Sequence, residues 1–177
     1  MPVRDKEDTM TIAARHRLAV QALDLKGDEQ ILEIGCGHGV AVGLVLERLT
    51  TGRITALDQS DKMIAAVRNG SPKAKARLRT IAKAFEDVDW GAETFDAIFA
   101  VNVDLNLRLG ERWAPLVKKL LKPEGRFVLA FDPPPGSGKA DGFADLARQR
   151  LAAEGFAIQS LRGEAGIAVI KATSPAG

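Results

Sequence analysis

Short apolar runs alternate with helix-period stretches along most of the chain, and that alternation predicts the elements. Residues 9–25 place Ala14, Leu18, Ala22 and Leu25 one helical turn apart, and Lys26-Gly27-Asp28 breaks the pattern. Gln30-Ile31-Leu32-Glu33-Ile34 is too short for a helix and reads as a buried strand, followed by glycines that lead into a helix over about 38–49. Ile54-Thr55-Ala56-Leu57 is a second strand ending at Asp58, and Ser60 is placed to cap a helix over 61–69 that Gly70-Ser71-Pro72 stops. Further strands are expected at about 77–82, at 95–101 and at 126–131, with a helix around 110–121 before the last of these. A loop from Asp132 to Gly138 then precedes a helix carrying Phe143, Leu146, Ala147 and Leu151 on one face. Two closing strands, about 156–161 and 166–172, are separated by too few residues for a crossover, so they are expected to run antiparallel. The repeated strand–helix order predicts an α/β fold: an open, doubly wound sheet with helices on both faces and ligands at the carboxyl ends of the strands.

Composition narrows the function without naming it. The chain has 177 residues, 46% of them hydrophobic and 27% charged, which suits an ordinary globular protein. Its net charge of +2 is too small to imply nucleic acid or membrane as a partner, and it has no Tyr to build a stacking surface for single strands. No apolar run approaches the roughly 20 residues needed to span a bilayer. The N-terminus MPVRDKEDTM has no apolar core like that of a secretory signal, so a cytoplasmic location is expected. A single cysteine, Cys36, excludes a disulfide framework and a multi-cysteine zinc site, and no metal site is expected.

The informative segment is Ile31-Leu32-Glu33-Ile34-Gly35-Cys36-Gly37-His38-Gly39. Glycines at 35, 37 and 39 between a strand and a helix let the backbone turn sharply and approach a ligand with no Cβ in the way. The helix start beyond them offers free N–H groups. At the end of the next strand Asp58 can accept from the vicinal hydroxyls of a ribose. Together these residues describe a pocket for an adenosine-containing ligand. The dinucleotide fingerprint G-x-G-x-x-G would require glycine where Val40 stands, so the spacing argues against a nicotinamide dinucleotide.

Four motifs in order make the chain resemble the class I S-adenosylmethionine-dependent methyltransferases from about residue 10 to 172. They are Glu33 to Gly39, Leu57-Asp58-Gln59-Ser60-Asp61-Lys62-Met63, Phe95 to Asn102, and Leu121-Lys122-Pro123-Glu124-Gly125-Arg126-Phe127. The resemblance implies a Rossmann-like sheet of seven strands in the order 3-2-1-4-5-7-6, with strand seven antiparallel. It implies an N-terminal segment with a cap helix over 1–28, a cofactor-binding domain over 29–173 and a frayed tail over 174–177. It also implies S-adenosylmethionine as cofactor and S-adenosylhomocysteine as product. In that reading the backbone of Gly35, Cys36, Gly37 and Gly39 lines the methionine part and Glu33 orients its ammonium group. Asp58 holds the ribose, Gln59, Met63, Ala84 and Phe85 border the adenine, and Asn102 and Val103 face the cofactor near the reacting methyl. Many relatives place an Asp just after strand three, where this chain has Lys83, which offers no acceptor. Either Glu86 or Asp87 enters instead, or the adenine is recognised by backbone alone.

The implied reaction is methyl transfer to a small-molecule acceptor by in-line displacement, in which aligning the acceptor and excluding water can suffice. Where a proton must leave, Asp104, Asp132 and His16 are candidate bases near the expected rim. His16 has the alternative of a packed or solvated histidine, and Cys36 and His38 are read as positional. The absence of a large insertion implies an open pocket or one completed by a second subunit, which leaves a homodimer open. The run from Asp61 to Lys83, with seven Lys or Arg and one acid, is read as a solvated face and protected sheet edge, with an RNA-binding face as the alternative. A non-catalytic cofactor-binding subunit and a nicotinamide-dependent oxidoreductase are the rival functions.

Overall fold

The computed structural model describes residues 6–134, 136–162 and 166–177. Seven strands form one sheet: β1 Gln30–Ile34, β2 Arg53–Asp58, β3 Leu78–Ala82, β4 Phe95–Val101, β5 Leu121–Phe131, β6 Ala157–Arg162 and β7 Ala168–Thr173. Their order is β3-β2-β1-β4-β5-β7-β6. The first five pair in parallel, and β7 lies antiparallel to both β5 and β6, as the sequence reading expected.

Both faces of the sheet are covered, which explains why the strands read as continuous apolar runs. Alternate residues feed two separate cores. Ile31, Ile54, Ala56, Phe99, Val101 and Val128 pack beneath α1 Lys6–Ala22, α2 Val40–Leu46 and α3 Asp61–Gly70. Leu32, Ile34, Ile98, Ala100, Phe127 and Leu129 pack beneath α4 Leu105–Leu109, α5 Trp113–Leu120 and α6 Lys139–Ala153. Trp113 is fully buried and lies 5.6 Å, ring to ring, from Phe127.

The amino ends of the central strands are tied by carboxylates. Asp96 accepts from the Gln30 amide and from Lys122 Nζ, each at 2.8 Å, and so joins β1, β4 and β5. Buried Glu29 accepts from the amides of Lys26 and Gly27 and pairs with Arg126. Burial opposes ionisation of both groups. For Asp96 the Lys122 ammonium and the Gln30 amide outweigh it, for Glu29 the two amides and Arg126 do, and both pKa values fall below the ordinary carboxylate range.

Several boundaries differ from the sequence reading for identifiable reasons. The first helix ends at Ala22, before Leu25, because the chain reverses at Asp24 with φ at +48°. The second cannot begin at 38, because Gly37 and Gly39 hold φ at +52° and +86°, so it starts at Val40. Where a helix over 110–121 was expected, Gly110–Arg112 is a 3-10 turn leading into α5. Strand β5 begins five residues early, since Leu121 pairs with Phe95 before the ladder resumes at Arg126. The tail expected to fray is held at its start: Ser174 is buried and its amide donates to the Gly125 carbonyl at 2.8 Å. Helix α4 was not anticipated at all.

Candidate functional site

The turn after β1 is built around its glycines. Gly35 and Gly39 have φ of +72° and +86°, and a Cβ on them would stand 2.5 Å from Val103 Cγ2 and 2.9 Å from Val67 Cγ2. Neither tolerates a side chain. A Cβ on Gly37, at φ +52°, would instead meet nothing within 4 Å, so this glycine presents bare backbone to open space. The amides of Gly35 and Cys36 both donate to the Leu57 carbonyl, at 2.8 and 2.9 Å, which pins the turn to the end of β2.

Asp58 is fixed from two sides. Its Oδ2 accepts from the Gly37 amide and its Oδ1 from the Ser60 amide, each at 2.9 Å. A carboxylate has about four acceptor positions, so one on each oxygen is still free for a diol. Ser60 caps α3 by accepting from the Met63 amide, as its position in the sequence predicted.

Glu33 lies beneath this turn, on the sheet face covered by α1 and α2, with Ala56 and Phe99 as its register partners. It is almost wholly buried, and its Oε2 has no hydrogen-bond partner among the described residues. Burial raises its pKa well above the usual range, and the neighbouring Asp58 charge adds to the rise. A buried oxygen left unpaired in this way is uncommon and calls for a donor; a cationic donor would restore its ionised form. Cys36 is buried with its thiol 3.8 Å from the Gly37 carbonyl. Burial, then the charges of Glu33 and Asp58, push its pKa up to about 12, which removes the thiolate that nucleophilic chemistry needs.

A cleft of about 240 Å³ opens at the carboxyl ends of β1, β2 and β4. Eight of the candidate binding and catalytic residues read from the sequence line it: Gly35, Asp58, Gln59, Ala84, Phe85, Asn102, Val103 and Asp104. The wall at Phe85 is stiffened by Trp90, which packs edge-on against it at 6.1 Å and donates from Nε1 to its carbonyl. Lys83 also lines the cleft, and so does Glu86, carried there by the 3-10 turn Phe85–Asp87; Asp87 does not. A carboxylate acceptor therefore stands on the wall where Lys83 offers none.

The other sequence candidates lie outside the lining. Glu33, Cys36, Gly37 and Gly39 form the turn and its support, and Met63 sits half-buried on α3. Asp132 pairs with Arg15 of α1 at 3.3 Å. Its backbone is clasped by Asn102, which accepts from the Asp132 amide at 2.7 Å and donates to its carbonyl at 3.3 Å. Asn102, at φ +54°, thus spends its side chain on joining the ends of β4 and β5. His16 is half-buried on α1. Asp104 caps α4 by accepting from the Leu107 amide at 2.9 Å.

Sequence reasoning missed Arg108, which lines the cleft from α4 and donates from Nη2 to Gln59 Oε1 at 3.1 Å. The only local signal was Asp104 as a helix cap. Leu105-Asn106-Leu107-Arg108-Leu109 alternates with period two, the pattern of a strand. Among the described residues no helix is long and apolar enough to cross a membrane, and no group of three or more His, Cys, Asp or Glu could hold a metal ion.

The family model for a methyltransferase domain matches residues 31–125. Trans-aconitate 2-methyltransferase of Escherichia coli is 34% identical over 131 residues, which are 69% of this chain and 47% of that protein. The chain spans between 31% and 64% of the length of the first curated relatives it matches. Among solved structures, the N-methyltransferase NodS from Bradyrhizobium japonicum superimposes with a TM-score of 0.76 at 16% identity, over 98% of this chain and 99% of that one. A Burkholderia thailandensis 1,6-didemethyltoxoflavin-N1-methyltransferase, solved with bound 1,6-didemethyltoxoflavin and S-adenosylhomocysteine, gives a TM-score of 0.72 at 24% identity over 96% of this chain and 82% of that one. These structures share the fold, and the family model spans more than half of the sequence: the chain belongs to the class I S-adenosylmethionine-dependent methyltransferase family.

Proposed function

We propose that the protein transfers a methyl group from S-adenosylmethionine to a small-molecule acceptor by in-line displacement. The observation that carries the reading is the pairing of Glu33 and Asp58 across the glycine turn. One is a buried carboxyl with an unpartnered oxygen, the other a fixed carboxylate with free acceptor positions at the cleft. An ammonium and a ribose diol, joined through a thioether or sulfonium, match those two needs in one ligand. The bare backbone at Gly37 leaves room for the chain between them.

When bound, the cofactor supplies an electrophilic methyl on a sulfonium with its leaving group already in place. The residues of this chain bind and orient. Glu33 takes the ammonium, Asp58 the ribose hydroxyls, and Ala84 and Phe85 flank the adenine, with the Glu86 carboxylate available to its amino group. Val103, packed against Gly35, fixes the turn beside the reacting end. Holding two reactants in line is worth several kcal/mol of barrier, up to about 7–11 in the best cases, without an acid or base. If the acceptor must lose a proton, Asp104 is the best placed of the three candidate bases, because it lines the cleft while Asp132 is engaged with Arg15.

A small acceptor is supported by the relatives, whose names specify trans-aconitate and 1,6-didemethyltoxoflavin. The test is incubation with methyl-labelled S-adenosylmethionine and a cell extract, followed by separation into small-molecule, RNA and protein fractions. Label is expected in the small-molecule fraction with wild type and to fall to background with Asp58→Ala. Label in RNA or protein would overturn the acceptor class. Cofactor binding with no transfer to any fraction would favour a non-catalytic subunit.

A further inference from the structure

We propose that Arg108 and Gln59 form a gate over the cofactor cleft, a side-chain strap that parts to let the adenosyl group in or out and closes behind it. The inference rests on the cleft taking the adenosine cofactor described above, and it adds a control on how fast that ligand exchanges.

The cleft has two facing lips. One is the turn after β2, which carries Gln59 next to Asp58, and the other is α4, which carries Arg108. The bond from Arg108 Nη2 to Gln59 Oε1 joins them across 49 positions of sequence. Both side chains line the cleft and both are exposed, so the bond crosses its outer edge rather than its floor.

The backbone of both lips is anchored. Leu105 and Leu109 bury the inner face of α4. Asn106 donates to the Phe143 carbonyl and accepts from Trp113 Nε1 and Arg150 Nη1, which ties the same helix to α5 and α6. On the opposite lip, the Asp58–Ser60 bond and the Ser60 cap hold the backbone on either side of Gln59. Two anchored lips joined by this solvent-exposed hydrogen bond make a two-state strap. A bond of ordinary net strength biases such an equilibrium toward the closed state by about twofold to about tenfold.

A gate has a kinetic signature that a ligand contact lacks. Entry and exit both require the open state, so removing the strap raises association and dissociation by the same factor and leaves the equilibrium constant unchanged. A residue that merely touches the ligand changes dissociation and affinity together.

The test is the binding kinetics of S-adenosylhomocysteine, followed by surface plasmon resonance on wild type, Arg108→Ala, Gln59→Ala and the double variant, with thermal melts to confirm folding. Arg108→Ala is expected to raise both rate constants by about twofold to about tenfold, with Kd within twofold of wild type. In the Gln59→Ala background the same substitution should change neither rate, because the strap is already gone. Unchanged rates in Arg108→Ala, a rise in dissociation alone, or an undiminished effect in the Gln59→Ala background would each overturn the gate. Failure of wild type to bind S-adenosylhomocysteine would overturn the cofactor reading itself, and the gate with it.

Discussion

Replacing Glu33 by Gln keeps the shape of a buried carboxyl and removes its ability to ionise, so it separates what this residue does for stability from what it does for the ligand. In the folded protein without ligand its pKa lies well above the ordinary value of 4.5, through burial first and the Asp58 charge second. The folded state therefore binds this proton more tightly than the unfolded chain. Stability must fall as pH rises above the unfolded value, at up to about 1.4 kcal/mol per pH unit, until the folded group itself ionises. Glu33→Gln removes that slope. Denaturant melts of the ligand-free proteins between roughly pH 5 and pH 7, just above the unfolded pKa, should show wild type losing stability relative to the variant. For the ligand the sign reverses, because the variant has no carboxylate for the ammonium. A lost hydrogen bond between charged groups is worth about 1.5–3 kcal/mol, a weakening of about tenfold to about 150-fold. Calorimetric titration with S-adenosylhomocysteine reads this directly, and in buffers of different ionisation enthalpy wild type should release a proton on binding while the variant does not. Binding within twofold of wild type, together with an unchanged pH slope, would refute the assignment of Glu33.

The remaining predictions concern other parts of the same frame. Gly35→Ala forces a left-handed conformation on a residue with a Cβ and drives that atom into Val103 Cγ2; backbone strain and overpacking together should cost about 2–5 kcal/mol in a denaturant melt, and a loss under about 1 kcal/mol would contradict the packing. Asp104→Asn retains a good helix cap, so S-adenosylhomocysteine affinity should hold while turnover drops; equal losses in both would remove Asp104 as a base. Asp96 has a depressed pKa, so its contribution is present above the unfolded value of 3.8 and is lost as pH falls through the lower folded value. Asp96→Asn should accordingly flatten the acid limb of the stability profile, and an unchanged limb would show that the tie between β1, β4 and β5 contributes nothing.

The parts of the site that could be read from sequence are those made within one short segment or one strand–helix step. The glycine turn after β1 and Asp58 at the end of β2 are local features whose spacing is set by the βα unit, and the antiparallel closing pair followed from its short connection. What could not be read are contacts between side chains far apart in sequence. The pairing of Arg15 with Asp132 spans 117 positions and the clasp of Asn102 on Asp132 spans 30, and no local pattern announces either. Helix α4 was hidden for a different reason: its alternating Leu-Asn-Leu-Arg-Leu has the period of a strand, and tertiary packing of Leu105 and Leu109 overrides it, which leaves Leu107 83% exposed. Glu86 rather than Asp87 reaches the cleft because of a 3-10 turn whose phase the sequence leaves open.

Calorimetric binding of S-adenosylmethionine, S-adenosylhomocysteine and NAD to wild type and Asp58→Ala shows whether the cleft beside Asp58 binds S-adenosylmethionine. Wild type is expected to bind the first two and not NAD. A folded Asp58→Ala variant should lose about 100-fold or more in affinity, the worth of two hydrogen bonds to a charged acceptor. Binding of NAD alone, or S-adenosylhomocysteine affinity that survives the loss of Asp58 within twofold, would contradict that reading of the cleft.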